Sequence, residues 1–420
     1  MQVFKFGGAS VKDAAAVQNL AQIVKLYAED GLLVVVSAMG KTTNALEKLS
    51  FAYINQSKDL RVVFTEIKAY HHQILIELFD ADHPIFDEVE NTFVEIEWMI
   101  EEEPQDGQDF IYDQIVSIGE LVSSRIVTSY LNKINIKSKW LDARGYIQTD
   151  NNYREALVDF DKTCALIRQD IPIMLQTEVL VTQGFLGGTS ENFTTTLGRE
   201  GSDYSAAIFA SCLNAPSVTI WKDVAGVYNA DPKRYQNMVK FDQLSYAEAV
   251  EMAYYGASII HPKTIRPLQN ANILLFVKPF LNPGESGTVI NAEESVVKVP
   301  VIIVKPNQVL VSVFAKDHSF VSEKHLSEVY KILAGLHIKV NLIQNSALSF
   351  TFCTDYQTGK FEALLQQLKL DFNYKYNLET ELITIRHYEP ALLQELSAGK
   401  TILLEQLSRS TAQLLIKAES

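Results

Sequence analysis

Apolar and polar positions along the chain follow two rhythms. Gln2 to Phe6 alternates towards a strand, and Val11 to Glu29 places Val17, Leu20, Ala21 and Val24 on one helical face. Residues 32–38, LLVVVSA, form a continuous β-branched run, the mark of a strand covered on both sides. Strand, helix, strand predicts a βαβ unit and an α/β fold. Residues 44–135 read as largely helical. From 173 to 290 the alternation returns: IMLQTEVLVTQGF, SVTIWKDV and ILLFVKPF read as strands, SDYSAAIFASCL and YAEAVEMAYYG as helices. A Ser10 to Asp13 capping box is expected ahead of the first helix.

The stretch PGESGTVINAEESVVKVP, residues 283–300, is rich in loop formers, which predicts a boundary near 295. Beyond it QVLVSVFA, HLSEVYKILAGL, IKVNLIQ, ALSFTFCT and GKFEALLQQLKL give the order βαββα. ELITIRHY, PALLQELSAG and TILLEQLSRSTAQLLIK read as an abbreviated second copy. The expected organisation is a mostly parallel sheet flanked by helices over 1–295, then α+β modules over 296–420.

Composition narrows the class. A chain of 420 residues predicts about two or three domains. The formal net charge of −14, with no run of Lys or Arg, disfavours nucleic acid. No stretch has the length of a membrane span, and MQVFKFGGAS carries no secretory apolar run, so a cytoplasmic protein is expected. Cys164, Cys212 and Cys353 lie far apart without metal or redox spacing, which predicts reduced thiols. Glu101 to Glu103 reads as a solvated helix end. His71 and His72, adjacent on a helix, face different ways, so structural roles are expected rather than a shared metal.

Four stretches carry candidate chemistry. In KFGGAS, residues 5–10, a strand runs into paired glycines before a helix. Such a turn presents backbone N–H groups to a phosphate, and Lys5 adds a point charge. The spacing is neither that of the P-loop nor that of the dinucleotide fingerprint, and a plain tight turn is the competing reading. TTTLGREGSDYSAA, residues 194–207, sets hydroxyls and glycines before a helix; Arg199 suits a carboxylate or phosphate, and Asp203 suits a cap or a metal-bound phosphate. IWKDVAGVYNADPKR, residues 220–234, follows a strand end, where a nucleotide pocket would lie. SIGELVSS, residues 117–124, brings Glu120 to a helix start. Together these motifs describe phosphate transfer to a molecule bearing a carboxylate.

KFGG-S-V, SA-G-TN, GE-S, TQGF, TTTLGR-GSD, W-DV-GVY--DP and GA--IHP occur in the order found in aspartokinases, which the chain resembles densely over 1–295. The 300–420 region resembles ACT regulatory modules. The resemblance implies an amino-acid kinase fold and ATP-dependent phosphorylation of the L-aspartate side chain, the entry to lysine, threonine and methionine. It assigns phosphate contacts to Lys5, Gly7, Gly8 and Ser10, and the acceptor junction to Ser37 and Thr43. It assigns the substrate ammonium to Glu120, and the α-carboxylate to Arg199 with Thr196 and Ser202. Asp203 would support transfer, and Lys222, Asp223, Tyr228 and Lys233 would meet the nucleotide. Mg²⁺ would arrive with ATP, held mainly by its phosphates. A homodimer through the ACT-like modules is implied, as is a lysine or threonine effector near Asn341 and Ser346.

The chain departs from the family pattern at Ala9, Glu200, Lys222 and Ser258, and in the regulatory part at Lys324-His325 and Asn341. Neutral Asn341 replaces an aspartate, so weakened lysine inhibition is expected. Two alternatives stay open on these departures: a kinase for another acceptor, and an amino-acid sensor without turnover.

Overall fold

The computed structural model describes residues 1–417 apart from 199, 258–259, 295–296, 298 and 318. The chain forms two compact units. The first comprises 1–227, 240–250 and 259–295; the second comprises 228–239, 251–258 and 296–420.

In chain order the strands begin with β1 (Gln2–Phe6), β2 (Leu32–Val36), β3 (Ser138–Leu141), β4 (Val179–Gln183), β5 (Leu186–Gly188), β6 (Thr194–Thr196) and β7 (Ser217–Lys222). There follow the two-residue β8 (Val227–Tyr228) and β9 (Lys240–Phe241), then β10 (Gln243–Ser245), β11 (Leu274–Pro279) and β12 (Thr288–Asn291). The helices are α1 (Ala14–Lys25), α2 (Thr42–Ile54), α3 (Leu60–Leu78), α4 (Ile85–Glu101), α5 (Gln108–Val116), α6 (Ile118–Lys133), α7 (Phe160–Met174), α8 (Gly201–Leu213), α9 (Tyr246–Tyr254) and α10 (Pro262–Asn270).

The first unit is built on an eight-stranded sheet of order β10-β12-β11-β7-β1-β2-β4-β3. Its six strands from β11 to β3 run parallel, and β12 turns antiparallel against β11. Every residue of β2 is buried, as its unbroken apolar run requires of a central strand. Among the described residues no helix is long and apolar enough to cross a membrane.

The structure corrects four expectations. Residues 8–11 form a 3₁₀ turn, so α1 starts at Ala14 and its cap is Asp13, which accepts from the Ala16 N–H at 2.8 Å. Ser10 instead turns inward, its Oγ 3.5 Å from the Trp221 carbonyl. Ile173 and Met174 close α7 rather than open a strand; a continuous apolar run does not distinguish the two. Cys164 and Cys212 are not separate thiols: α7 and α8 lie side by side, their Cα atoms are 4.7 Å apart and the sulfurs are bonded. Cys353 is the free, buried thiol. Finally, the strand expected at ELITIRHY is the second half of a longer one.

That strand belongs to the second unit, which holds β13 (Val301–Ala315), α11 (Glu323–Gly335), β14 (Val340–Asn345), β15 (Phe350–Asp355), α12 (Thr358–Asp371), β16 (Phe372–Arg386), α13 (Pro390–Ser397), β17 (Ile402–Leu407) and β18 (Thr411–Lys417). They form one antiparallel sheet of order β14-β15-β13-β16-β18-β17. The order is βαββα followed by βαββ, with α13 the short helix of the second copy. Pro306 lies within β13, where the register against β16 shifts between Lys305 and Gln308, a place where a missing N–H is tolerated.

Candidate functional site

Parallel strands present their C-terminal ends along one edge, where loops can gather. Here β1 runs into Gly7-Gly8, β2 into Ser37 to Gly40, β4 into Gly184, and β7 into Asp223. The turns after β1 and β2 interlock. The Ser37 N–H donates to the Phe6 carbonyl at 3.0 Å, and the Gly40 N–H donates to that of Gly8 at 3.0 Å. A Cβ on Gly8 would sit 2.7 Å from the Gly40 oxygen and 2.8 Å from that of Ala38, so only glycine permits this approach. On Gly184 a Cβ would meet the Ser202 Cβ at 2.4 Å, which brings the start of α8 against the end of β4.

Lys5, in β1, meets Asp203, in the first turn of α8: Nζ and Oδ1 are 2.7 Å apart and both side chains are nearly buried. Glu120 enters from the first turn of α6, where Gly119 packs so closely on Ala38 that an added Cβ would lie 2.9 Å from the Ala38 Cβ. Burial pushes the Glu120 carboxyl up to about 8, opposed by hydrogen bonds from the Ala38 and Glu120 backbone and by the Lys5 charge. Its Oε2 is buried and has no hydrogen-bond partner. A buried oxygen left without a donor is costly unless something arrives to satisfy it. The edge therefore holds a cation, a paired carboxylate and an unsatisfied carboxyl around a glycine turn.

Among the other candidates, Gly7, Ser37, Thr43 and Ser202 belong to these turns or the adjoining helix starts, Lys222 ends β7, and Asp223 is exposed just beyond it. Thr196 is buried at the end of the β5–β6 hairpin, and its hydroxyl is already committed to Asp113 at 2.7 Å. Tyr228 and Lys233 belong to the second unit. Arg199 and Ser258 lie outside the described residues. Glu200 caps α8 in the left-handed region at φ 55°, and its Oε2 is buried without a partner. His71 is a core residue: burial lowers it to about 4, and its Nδ1 lies 2.8 Å from the Ile67 carbonyl oxygen.

Asp113 escaped sequence reasoning. It is fully buried and accepts from the Thr196 N–H and hydroxyl and from the Arg154 N–H. Burial pushes it up to about 6 against these donors. The available signal was slight: Asp113 is the one carboxylate among the buried residues of α5, with Ile111, Ile115 and Val116.

In the second unit Asn341 is engaged from within. Its Oδ1 accepts from Lys305 Nζ at 2.9 Å, and its Nδ2 donates to Gln308 at 2.8 Å and Asp355 at 3.0 Å. Ser346 closes an exposed turn onto Ser349. His325 completes a capping box with Ser322 and rests edge-on to Phe372.

The description of the amino acid kinase family matches residues 1–279. Lysine-sensitive aspartokinase 3 of Escherichia coli is 32% identical over 370 residues, covering 87% of this chain and 81% of that protein. The solved structure of E. coli aspartokinase III with aspartate and ADP, in the R-state, matches with a TM-score of 0.85 at 28% identity, over 99% of this chain and 96% of that one. The same enzyme with lysine and aspartate, in the T-state, matches with a TM-score of 0.81 over the same shares at the same identity.

Proposed function

The chain belongs to the amino acid kinase family, among its aspartokinases, and from that premise we propose how its first unit works. It phosphorylates the side-chain carboxylate of L-aspartate with ATP, giving 4-phospho-L-aspartate for amino-acid biosynthesis. The observation that carries the reading is the Lys5–Asp203 pair beside the unsatisfied Glu120 carboxyl, at the glycine-lined ends of parallel strands.

A carboxylate is already a nucleophile, so the acceptor needs no strong base. The barrier is repulsion between two anions, and transfer depends on positioning and on charge neutralisation. Lys5 meets the transferring phosphate, and the backbone of Gly7, Gly8 and Ser10 cradles it. Ser37 and Thr43 line the junction. Glu120 receives the aspartate ammonium, which supplies the donor that Oε2 lacks. Arg199, with Ser202 and the Thr196 segment, takes the α-carboxylate. Lys222 and Asp223 border the nucleotide. Asp203 holds Lys5 in line and is the carboxylate suited to a Mg²⁺ that comes in on ATP; such an ion supplies neutralisation of the phosphate oxygens. The second unit is regulatory and pairs with its copy in a homodimer, and its response to lysine is weak because Lys305 already occupies the Asn341 oxygen.

The test is incubation with Mg-ATP and L-aspartate, trapping acyl phosphate with hydroxylamine. Aspartate-dependent hydroxamate is the expected result. Its absence from folded protein that binds nucleotide would overturn the assignment.

A further inference from the structure

The threonines of β6 are each held by a different segment. Thr194 Oγ1 accepts from Arg144 at 3.1 Å, Thr195 Oγ1 shares a hydrogen bond with Thr149 Oγ1 at 2.7 Å, and Thr196 meets Asp113. Only the last of these partners is a carboxylate with no solvent exposure. Its Oδ1 takes the Thr196 hydroxyl at 2.7 Å; its Oδ2 takes the Thr196 N–H at 2.8 Å and the Arg154 N–H at 2.9 Å. Arg154 has a left-handed backbone, φ 69°, and opens a stretch that runs along the chain after β6. The Ala156 N–H donates to the Thr196 carbonyl at 3.0 Å. A Cβ on Gly198 would lie 3.3 Å from Glu155 Cγ and 3.4 Å from the Arg154 oxygen.

One carboxylate thus ties three segments together: α5, residues 154–156, and the strand that leads into residues 197–203. An apolar side chain could pack α5 against the hairpin at less cost, since burying an ionisable group is unfavourable. What an apolar residue could not do is fix two backbone N–H groups and a hydroxyl at set positions. An amide could keep one oxygen for the two N–H groups and turn its NH₂ to the Thr196 hydroxyl oxygen, so the telling contrast is with an apolar side chain of similar bulk.

We infer that Asp113 is a positioning residue for the amino-acid acceptor, setting the place of Thr196 to Gly198 and hence of the residues that follow. The inference rests on the reading that the 196–203 segment meets the aspartate. Asp113 itself touches no reacting atom.

The experiment is steady-state hydroxamate kinetics on the full chain carrying Asp113→Leu, Thr196→Val, Thr196→Ser or the Leu/Val pair, varying aspartate and ATP separately. Asp113→Leu keeps the bulk and leaves three donors unsatisfied, and is expected to raise KM for aspartate by about tenfold or more, with KM for ATP within about twofold. Thr196→Val should move the same constant, Thr196→Ser should move it less, and the double variant should be no worse than Asp113→Leu because that variant already lacks the hydroxyl contact. A folded Asp113→Leu protein with unchanged KM for aspartate, or with both KM values moved alike, overturns the inference. If that variant does not fold, equal aspartate KM values for Thr196→Val and Thr196→Ser overturn it. Absence of aspartate-dependent product from the parent protein would instead overturn the reading beneath it.

Discussion

Glu120→Gln should make the protein more stable while abolishing most of its activity, and the gain should depend on pH in a calculable way. Glu120 is buried, and its carboxyl is pushed from 4.5 up to about 8, chiefly by loss of solvent. The folded protein therefore holds this proton more tightly than the unfolded chain does. Between pH 4.5 and 8 the folded state binds more protons than the unfolded one, so this group makes stability fall as pH rises. Each pH unit in that window is worth about 1.4 kcal/mol, giving a total of about 4–5 kcal/mol by pH 8. Glutamine has nearly the same shape, keeps an oxygen for the Ala38 N–H, and has no proton to lose. Unfolding by urea or heat at pH 5, 6, 7 and 8 should show the variant gaining on the parent at each step, with the largest difference at pH 8. A difference that stays flat across those four pH values would refute the reasoning, because it would mean that Glu120 is not held protonated by burial.

The other predictions concern chemistry, backbone, regulation and thiols. Lys5→Ala should cost about 3–4 kcal/mol of transition-state stabilisation, as loss of one preorganised donor does; a near-normal kcat in the hydroxamate assay would exclude the role. Gly8→Ala should destabilise the fold by about 2 kcal/mol or more, since its Cβ would press on two carbonyl oxygens at 2.7 and 2.8 Å; an unchanged urea midpoint would contradict the close turn. Lysine added to the parent protein should inhibit weakly, because Lys305 holds the Asn341 oxygen, and Lys305→Met should change the inhibition constant for lysine. Thiol titration in denaturant should find one reactive cysteine per chain before reduction and three after it.

Much of the candidate site was legible because its parts are local. Lys5 before paired glycines, Glu120 beside a glycine at a helix start, and Asp203 in the first turn of α8 are each fixed by neighbours in sequence. The alternation of strands and helices orders them along one sheet edge. Non-local contacts were not legible. Cys164 and Cys212 are 48 residues apart, and their bond follows from the packing of α7 on α8, which spacing alone does not encode. Asp113 stands 83 residues from Thr196, on a helix that shows only one misplaced carboxylate. Thr196 itself read as a substrate group by motif, while its hydroxyl is spent within the fold. The long reach of β16 was missed because its first half alternates tyrosines with polar residues and stays largely exposed.

That strand has a mechanical meaning. β13 and β16 are each 15 residues long and pair from Val301 opposite Arg386 to Ala315 opposite Phe372, running through both βαββ copies. The copies are therefore not beads on a string but two ends of one beam. A torque applied where β14 and β15 lie must twist the same two strands that β17 and β18 lean on. Relief along the beam comes at the two register slips around Pro306 to Leu310. The two copies should exchange their β13 and β16 amide hydrogens as a single cooperative block, and a ligand clasped at one end would be felt at the other through the stiffness of shared backbone, with no relay of side chains between them.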